Sequence, residues 1–136
     1  MKLNKTEYDP KLNSYEVVIA GGAMIGTAIA WFLISNKDFN GKILVVEKDP
    51  TLEFSSTSRT NNSIRQQFSN RLNIEISKFS SNYILNFKSY MENDERIPEI
   101  VFNKIGYLYL ADNKKKFNLL KKNQKLQNSL NIPTKI

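Results

Sequence analysis

Residues 15–50 read YEVVIAGGAMIGTAIAWFLISNKDFNGKILVVEKDP, and the order of apolar and turn residues in this stretch decides the fold. Residues 15–20 (YEVVIA) end in a β-branched apolar burst closed by Gly21 and Gly22, the pattern of a parallel strand buried on both faces. Residues 24–35 are rich in helix formers and small side chains and end in the polar run Ser35, Asn36, Lys37, Asp38, with a turn at Asn40 and Gly41. Residues 42–47 (KILVVE) form another short apolar run that ends on a carboxylate. Strand, glycine turn, helix and strand in this order predict a Rossmann-type βαβ unit over residues 15–47. A competing reading takes residues 17–34 as a membrane-spanning helix with Gly22 and Gly26 as a small-residue pair, because the run reaches the lower limit of about 17 residues. The apolar run at βαβ distance favours the strand-to-helix reading.

A pyrophosphate needs several unpaired N–H donors and room for close approach. A helix N-terminus behind a glycine turn supplies both, through its free amides and the positive end of its dipole. The segment GGAMIG, residues 21–26, sits at that place. In the dinucleotide fingerprint the first glycine makes the turn, the second admits the phosphate and the third lets helix and strand pack; here those positions are Gly21, Ala23 and Gly26. Ala23 departs from the pattern by one methyl group. Glu47 closes the second strand, where a carboxylate accepts hydrogen bonds from the hydroxyls of an adenosine ribose. The alternative is a surface Glu that opens a turn. An acid at this position repels a 2′-phosphate, which disfavours NADP. No Lys-Ser or Lys-Thr pair follows the glycine turn, so a nucleoside-triphosphatase P-loop is not expected.

Beyond this unit, residues 51–70 are rich in Ser, Thr and Asn and predict a long functional loop with one helical turn at most. From Leu72 to Met91 the residues Leu72, Ile76, Phe79, Tyr83, Phe87 and Tyr90 recur at spacings of three and four, which predicts an amphipathic helix with an aromatic core stripe. A charged turn with Pro98 follows, then two short strands over 100–103 and 106–111. Asp112 or Asn113 caps a final helix that runs to about Leu130 and stops at Asn131 and Pro133.

With 20 Lys and Arg against 13 Asp and Glu, the 136-residue chain carries a formal charge of +7. Much of the excess is Lys114, Lys115, Lys116, Lys121, Lys122 and Lys125, interleaved with Asn, Gln and Leu rather than stacking aromatics. A solvated helix face accounts for that pattern better than a nucleic-acid surface. The chain contains no Cys and no His; disulfides, thiol chemistry and the commonest general base and metal ligand are therefore absent, and neither a catalytic side chain nor a metal site is assigned. The polar first residues do not form a secretory signal, so the expected compartment is the cytoplasm.

The motifs YEVVIAGGAMIGTAIAWFL, ILVVEKDPT, SSTSRTNNSIRQQFS and IGYLYLA together resemble the N-terminal portion of the D-amino-acid oxidase and sarcosine oxidase superfamily of FAD-dependent oxidoreductases. Within it, the IRQQFS segment is most similar to dehydrogenase-like members. The resemblance covers residue 15 to the end and implies a layout of three parts. A polar lead over 1–14 precedes the FAD-binding Rossmann portion over 15–91, and the start of a mixed α+β substrate domain occupies 92–136, with an incomplete fold. It further implies that Gly21, Gly22, Ala23, Met24 and Gly26 hold the FAD pyrophosphate, Glu47 the ribose and Lys48 the adenine side. Ser56, Thr57 and Thr60 are implied to pass along the flavin-facing part, and Arg65 to pair with a substrate carboxylate. Asn62 and Ser63 stand where such relatives carry Gly-Gly. Some members attach flavin through His or Cys; this segment has neither, so its attachment is noncovalent. The implied reaction of the complete protein is oxidation of an amino acid or N-alkyl amino acid at the carbon bearing nitrogen, with hydride passing to FAD and an electron acceptor or completing polypeptide as a further partner. The isolated chain is expected to be inactive. Its rivals are a noncatalytic nucleotide-binding fragment and a basic nucleic-acid-binding domain.

Overall fold

The computed structural model describes residues 9–136, so most of the polar lead expected over 1–14 lies outside the described residues. The chain forms two compact units, Met1–Asn62 and Ser63–Ile136.

In the first unit, β1 (Val17–Ala20), α1 (Met24–Ile34) and β2 (Ile43–Val46) follow in the expected order. The strands pair in parallel with Val17 opposite Ile43 and Ala20 opposite Val46. This crossover through a helix is the βαβ arrangement, and it confirms a small parallel sheet of mixed α/β character. Residues 17–34 are thus a strand, a turn and an 11-residue helix, and no helix among the described residues is long and apolar enough to cross a membrane. One expectation needs correction. β1 is not buried on both faces: Ile19 is 8% exposed, but Val18 is 60% exposed. The apolar run reflects the β-branched residues that suit a pleated surface, while only α1 covers it within this unit. Residues 51–62 continue as the expected loop, with turns and no helix.

The second unit begins with an irregular segment and continues into α2 (Arg71–Leu85), α3 (Phe87–Tyr90) and α4 (Lys114–Ser129). Asn70 caps α2 by accepting from the amides of Leu72 and Asn73, the local reason the helix starts there. The single helix expected to reach Met91 is broken at Asn86. The Asn86 amide group turns back to donate to Asn82 O at 2.8 Å, a side-chain-to-backbone bond that competes with helix continuation. The aromatic stripe survives the break, with Tyr83 stacked on Tyr90 at 4.5 Å between ring centroids.

Asn113, one of the two expected caps, begins α4 by accepting from the Lys116 amide at 2.9 Å. Its end is a Schellman arrangement: Asn131 adopts φ +61, Ile132 N–H donates to Gln127 O at 2.9 Å and Asn131 N–H to Asn128 O at 3.1 Å. Ile132, the residue after this turn, is buried at 1% exposure, and Ile74 of α2 is buried as well. The six lysines named above are all exposed on α4, as a solvated face requires.

A further expectation fails in this unit: residues 100–103 and 106–111 form no strand among the described residues. In 107–110 the side chains do alternate, with Tyr107 and Tyr109 stacked on one side at 6.4 Å and Leu108 and Leu110 exposed on the other. Alternation fixes where side chains point, whereas a strand also needs a neighbouring backbone about 4.8 Å away to pair with, and no described segment offers one.

Candidate functional site

β1 feeds directly into the glycine turn. Gly21 sits at φ +109, a conformation that glycine adopts without cost, while its N–H still pairs with Val46 O at 2.7 Å. The turn therefore begins at the carboxyl end of the sheet, where ligands of parallel α/β units bind. Gly26 faces this turn from the first coil of α1. A Cβ built on it would lie 1.8 Å from Gly21 O and 3.2 Å from Ile19 Cγ2; the absence of a side chain is what lets α1 seat against the strand and turn.

The Ala23 departure from the glycine pattern is conformationally neutral, since Ala23 has ordinary extended angles of φ −76 and ψ −168. As N-cap it has no side chain to accept from the first-turn amides of α1, which keeps the positive end of the helix available to an anion. Met24 N–H reaches Thr57 Oγ1 at 3.4 Å. That long contact brings the Ser/Thr-rich loop to the helix N-terminus. Ser56 and Thr60 belong to the same loop, and Thr60 Oγ1 accepts from the Asn62 amide at 3.4 Å. Asn62 itself adopts φ +54. Asn is one of the few side chains that enter the left-handed region readily, so the turn forms there without a glycine.

Glu47 performs a task that the sequence did not disclose. Its Oε2 accepts from Gly22 N–H at 2.7 Å and its Oε1 from Asp49 N–H at 2.9 Å. These bonds, the Gly22 one foremost, hold the carboxyl below the usual carboxylate range and keep it ionised near neutrality. An ionised carboxylate offers about four lone-pair sites, so acceptor capacity remains for a hydroxyl donor after the backbone is served. Gly22 is adapted to the contact: a Cβ on it would come within 3.2 Å of Glu47 Cβ. Lys48 follows directly after it in the chain.

Asp49 organises the turn that follows, a role the sequence reading did not assign. It accepts from the Thr51 hydroxyl at 2.6 Å and the Thr51 amide at 3.0 Å, and these bonds, the hydroxyl first, lower its pKa. An Asp two residues before a Thr, next to Pro50, is the sequence signal of such a turn. The uncapped helix end, the close turn permitted by Gly22 and Gly26, and the acid beside them together fit the pyrophosphate and ribose of a dinucleotide.

In the second unit, the Arg65 guanidinium lies 4.6 Å over the Phe68 ring, and its Nη1 is 3.5 Å from Tyr109 Oη. No carboxylate pairs with it among the described residues. The segment is braced from two sides: Gln66 donates to the Ser81 hydroxyl of α2, and Gln127 of α4 donates to Phe68 O at 3.0 Å. Gln127 is 5% exposed. A buried Gln on a helix that otherwise reads as polar gives no periodic signal, so Gln127, Phe68 and Tyr109 were not legible as supports of Arg65.

Comparison with known proteins gives one consistent result. The family described as FAD dependent oxidoreductase matches residues 16–136. Curated relatives named FAD-dependent oxidoreductase domain-containing protein 1 are 42% identical over 100 residues in Xenopus laevis and 37% identical over 99 residues in Bos taurus, each alignment covering 71% of this chain and 20% of the relative. A homologue of that name from Drosophila melanogaster is 32% identical over 115 residues, 85% of this chain and 22% of the relative. The chain thus spans about one fifth of the length of these relatives. No solved structure matches it.

Proposed function

The chain belongs to the FAD dependent oxidoreductase family, whose cofactor is FAD, and from that premise we propose that it supplies the dinucleotide-binding end of an oxidoreductase acting on an amino acid or N-alkyl amino acid. The turn of Gly21, Gly22, Ala23 and Met24 seats the pyrophosphate against the N-terminal amides of α1, with Gly26 permitting the close seat of the helix. The remaining acceptor capacity of Glu47 takes the ribose hydroxyls, and Lys48 lies on the adenine side. Ser56, Thr57 and Thr60 line the path toward the flavin ring. Bound FAD supplies a two-electron acceptor for the hydride leaving the carbon that bears nitrogen. Arg65 takes the substrate carboxylate through its planar pair of N–H donors. Phe68 holds the guanidinium flat and keeps its edge open, and the absence of a carboxylate partner among the described residues leaves its charge for a ligand.

The observation that supports this reading most is the meeting of Glu47 with Gly22 at 2.7 Å beside a helix end without a cap of its own. Titration of the chain with FAD, followed by flavin fluorescence, tests it. FAD should bind and NADP should not compete, and Glu47→Ala should weaken FAD at least tenfold; unchanged affinity would remove Glu47 from the site. A noncatalytic nucleotide-binding module is the alternative reading, favoured by Ala23 standing where the dinucleotide fingerprint carries its second glycine. It predicts the same FAD binding but no response of carboxylate binding to Arg65→Lys.

A further inference from the structure

The second unit contains a cavity of about 690 Å³ that no role assigned above uses. One wall is the extended segment 107–111, the facing wall is α4 through Phe117 and Leu120, and residues 133–136 close one end. Tyr107 and Tyr109 stack in this wall with 24° between their ring planes, and Phe117 adds a third ring from the opposite side. No acidic side chain lines the cavity, and its one charged side chain is that of Lys135. The Thr134 hydroxyl at the closed end is buried without a hydrogen-bond partner, an unspent donor of the kind that a bound polar atom would satisfy.

The cavity and Arg65 meet at one residue. Tyr109 contributes to the wall, and its hydroxyl is the atom 3.5 Å from Arg65 Nη1. A molecule whose carboxylate engages Arg65 therefore has the aromatic wall beside it. The volume is within the roughly 300–1,000 Å³ typical of sites for drug-sized ligands and far exceeds what an amino acid without a side chain needs. Stacked phenol rings reward a flat π surface through offset or edge-to-face contacts that an aliphatic chain cannot make. The lack of acids, together with Lys135 and Arg65, suits a ligand carrying negative charge at one end.

We propose that this cavity makes the site selective for amine-bearing carboxylates with an aromatic side chain, the ring lying against Tyr107 and Tyr109 while Arg65 holds the carboxylate. The proposal rests on the assignment of Arg65 to the substrate carboxylate. It names the substrate class that the assignment leaves open.

The test is calorimetric titration of the FAD-loaded chain with three probes: N-methylglycine, N-methylleucine and N-methylphenylalanine. N-methylphenylalanine should bind about tenfold more tightly than N-methylleucine, and N-methylglycine most weakly. Tyr107→Leu, at a half-exposed position apart from the Tyr109 contact with Arg65, should erase the preference for the phenyl probe and leave N-methylglycine unchanged. Tyr109→Phe, which keeps the ring, should retain it. Equal affinity for the phenyl and leucyl probes, or a preference indifferent to Tyr107→Leu, overturns the aromatic selectivity. If Arg65→Lys still weakens all three probes in that case, the carboxylate assignment stands. If no probe binds, or none responds to Arg65→Lys, the assignment of Arg65 falls and this inference falls with it.

Discussion

In sequence, the glycine turn over residues 21–26 and the segment 106–111 are alike, each a glycine beside a short apolar run, but the two units that hold them differ in what the chain supplies around each. Residues 21–26 are enclosed by their own neighbours: β2 returns after α1 to pair with β1, and Glu47 arrives at Gly22. Residues 107–110 have the side-chain alternation of a strand, with Leu108 and Leu110 84% and 85% exposed, and no paired backbone among the described residues. A fold element is local when its partners are close in sequence and within reach of a helix crossover. A strand whose pattern is written locally still depends on a partner that the pattern does not name.

The sharpest way to break the comparison is at Gly26. Alanine in place of an exposed helical glycine ordinarily stabilises by about 1 kcal/mol. Here a Cβ would lie 1.8 Å from Gly21 O, so Gly26→Ala should reverse the sign and destabilise by about 3 kcal/mol, the upper part of the overpacking range. Trp31 lies in α1 and is the only Trp of the chain, so its fluorescence during denaturant unfolding reports this unit. A stabilised Gly26→Ala chain would show that α1 does not seat on the turn in solution.

This contrast also explains which parts were legible. The βαβ order, the acid at Glu47 and the Asn113 cap are read from short-range signals, and the chain forms them. The Asn86 break was hidden because a side chain competing for the carbonyl at Asn82 leaves the periodicity of Tyr83, Phe87 and Tyr90 intact. The sequence placed Glu47 at the end of the second strand but did not show it as the partner of Gly22, since that contact spans 25 positions and depends on the strand register. Arg65 was singled out by resemblance alone; the rings of Phe68 and Tyr109 beside it gave no signal in the sequence, because Tyr109 reaches it from 44 residues away.

A smaller effect should appear with pH. The Glu47 carboxyl is lowered from its ordinary value of 4.5, first by the Gly22 amide and then by that of Asp49. A depressed folded pKa contributes stability that is fully present above the unfolded value and is lost as pH falls through the folded one. The first unit, followed by Trp31, should therefore lose stability below about pH 4.5. Glu16 and Asp49 in the same unit are lowered as well, so the informative quantity is the difference from Glu47→Gln, whose acid limb should be shallower. Parallel curves for the two chains would mean that the Gly22 contact is not maintained in solution.

The smallest expected change falls on the other side of the comparison. Leu108→Thr with Leu110→Thr introduces β-branched residues and keeps the positional alternation of the segment while removing two apolar side chains that are more than four-fifths exposed. Without burial there is little transfer free energy to lose, so unfolding of the second unit, followed by tyrosine circular dichroism, should shift by less than about 0.5 kcal/mol. A loss above about 1 kcal/mol would mean that these leucines are covered in solution. If that loss also grew with protein concentration, the covering surface would be another copy of the chain, and the unpaired edge would be an interface rather than an exposed segment.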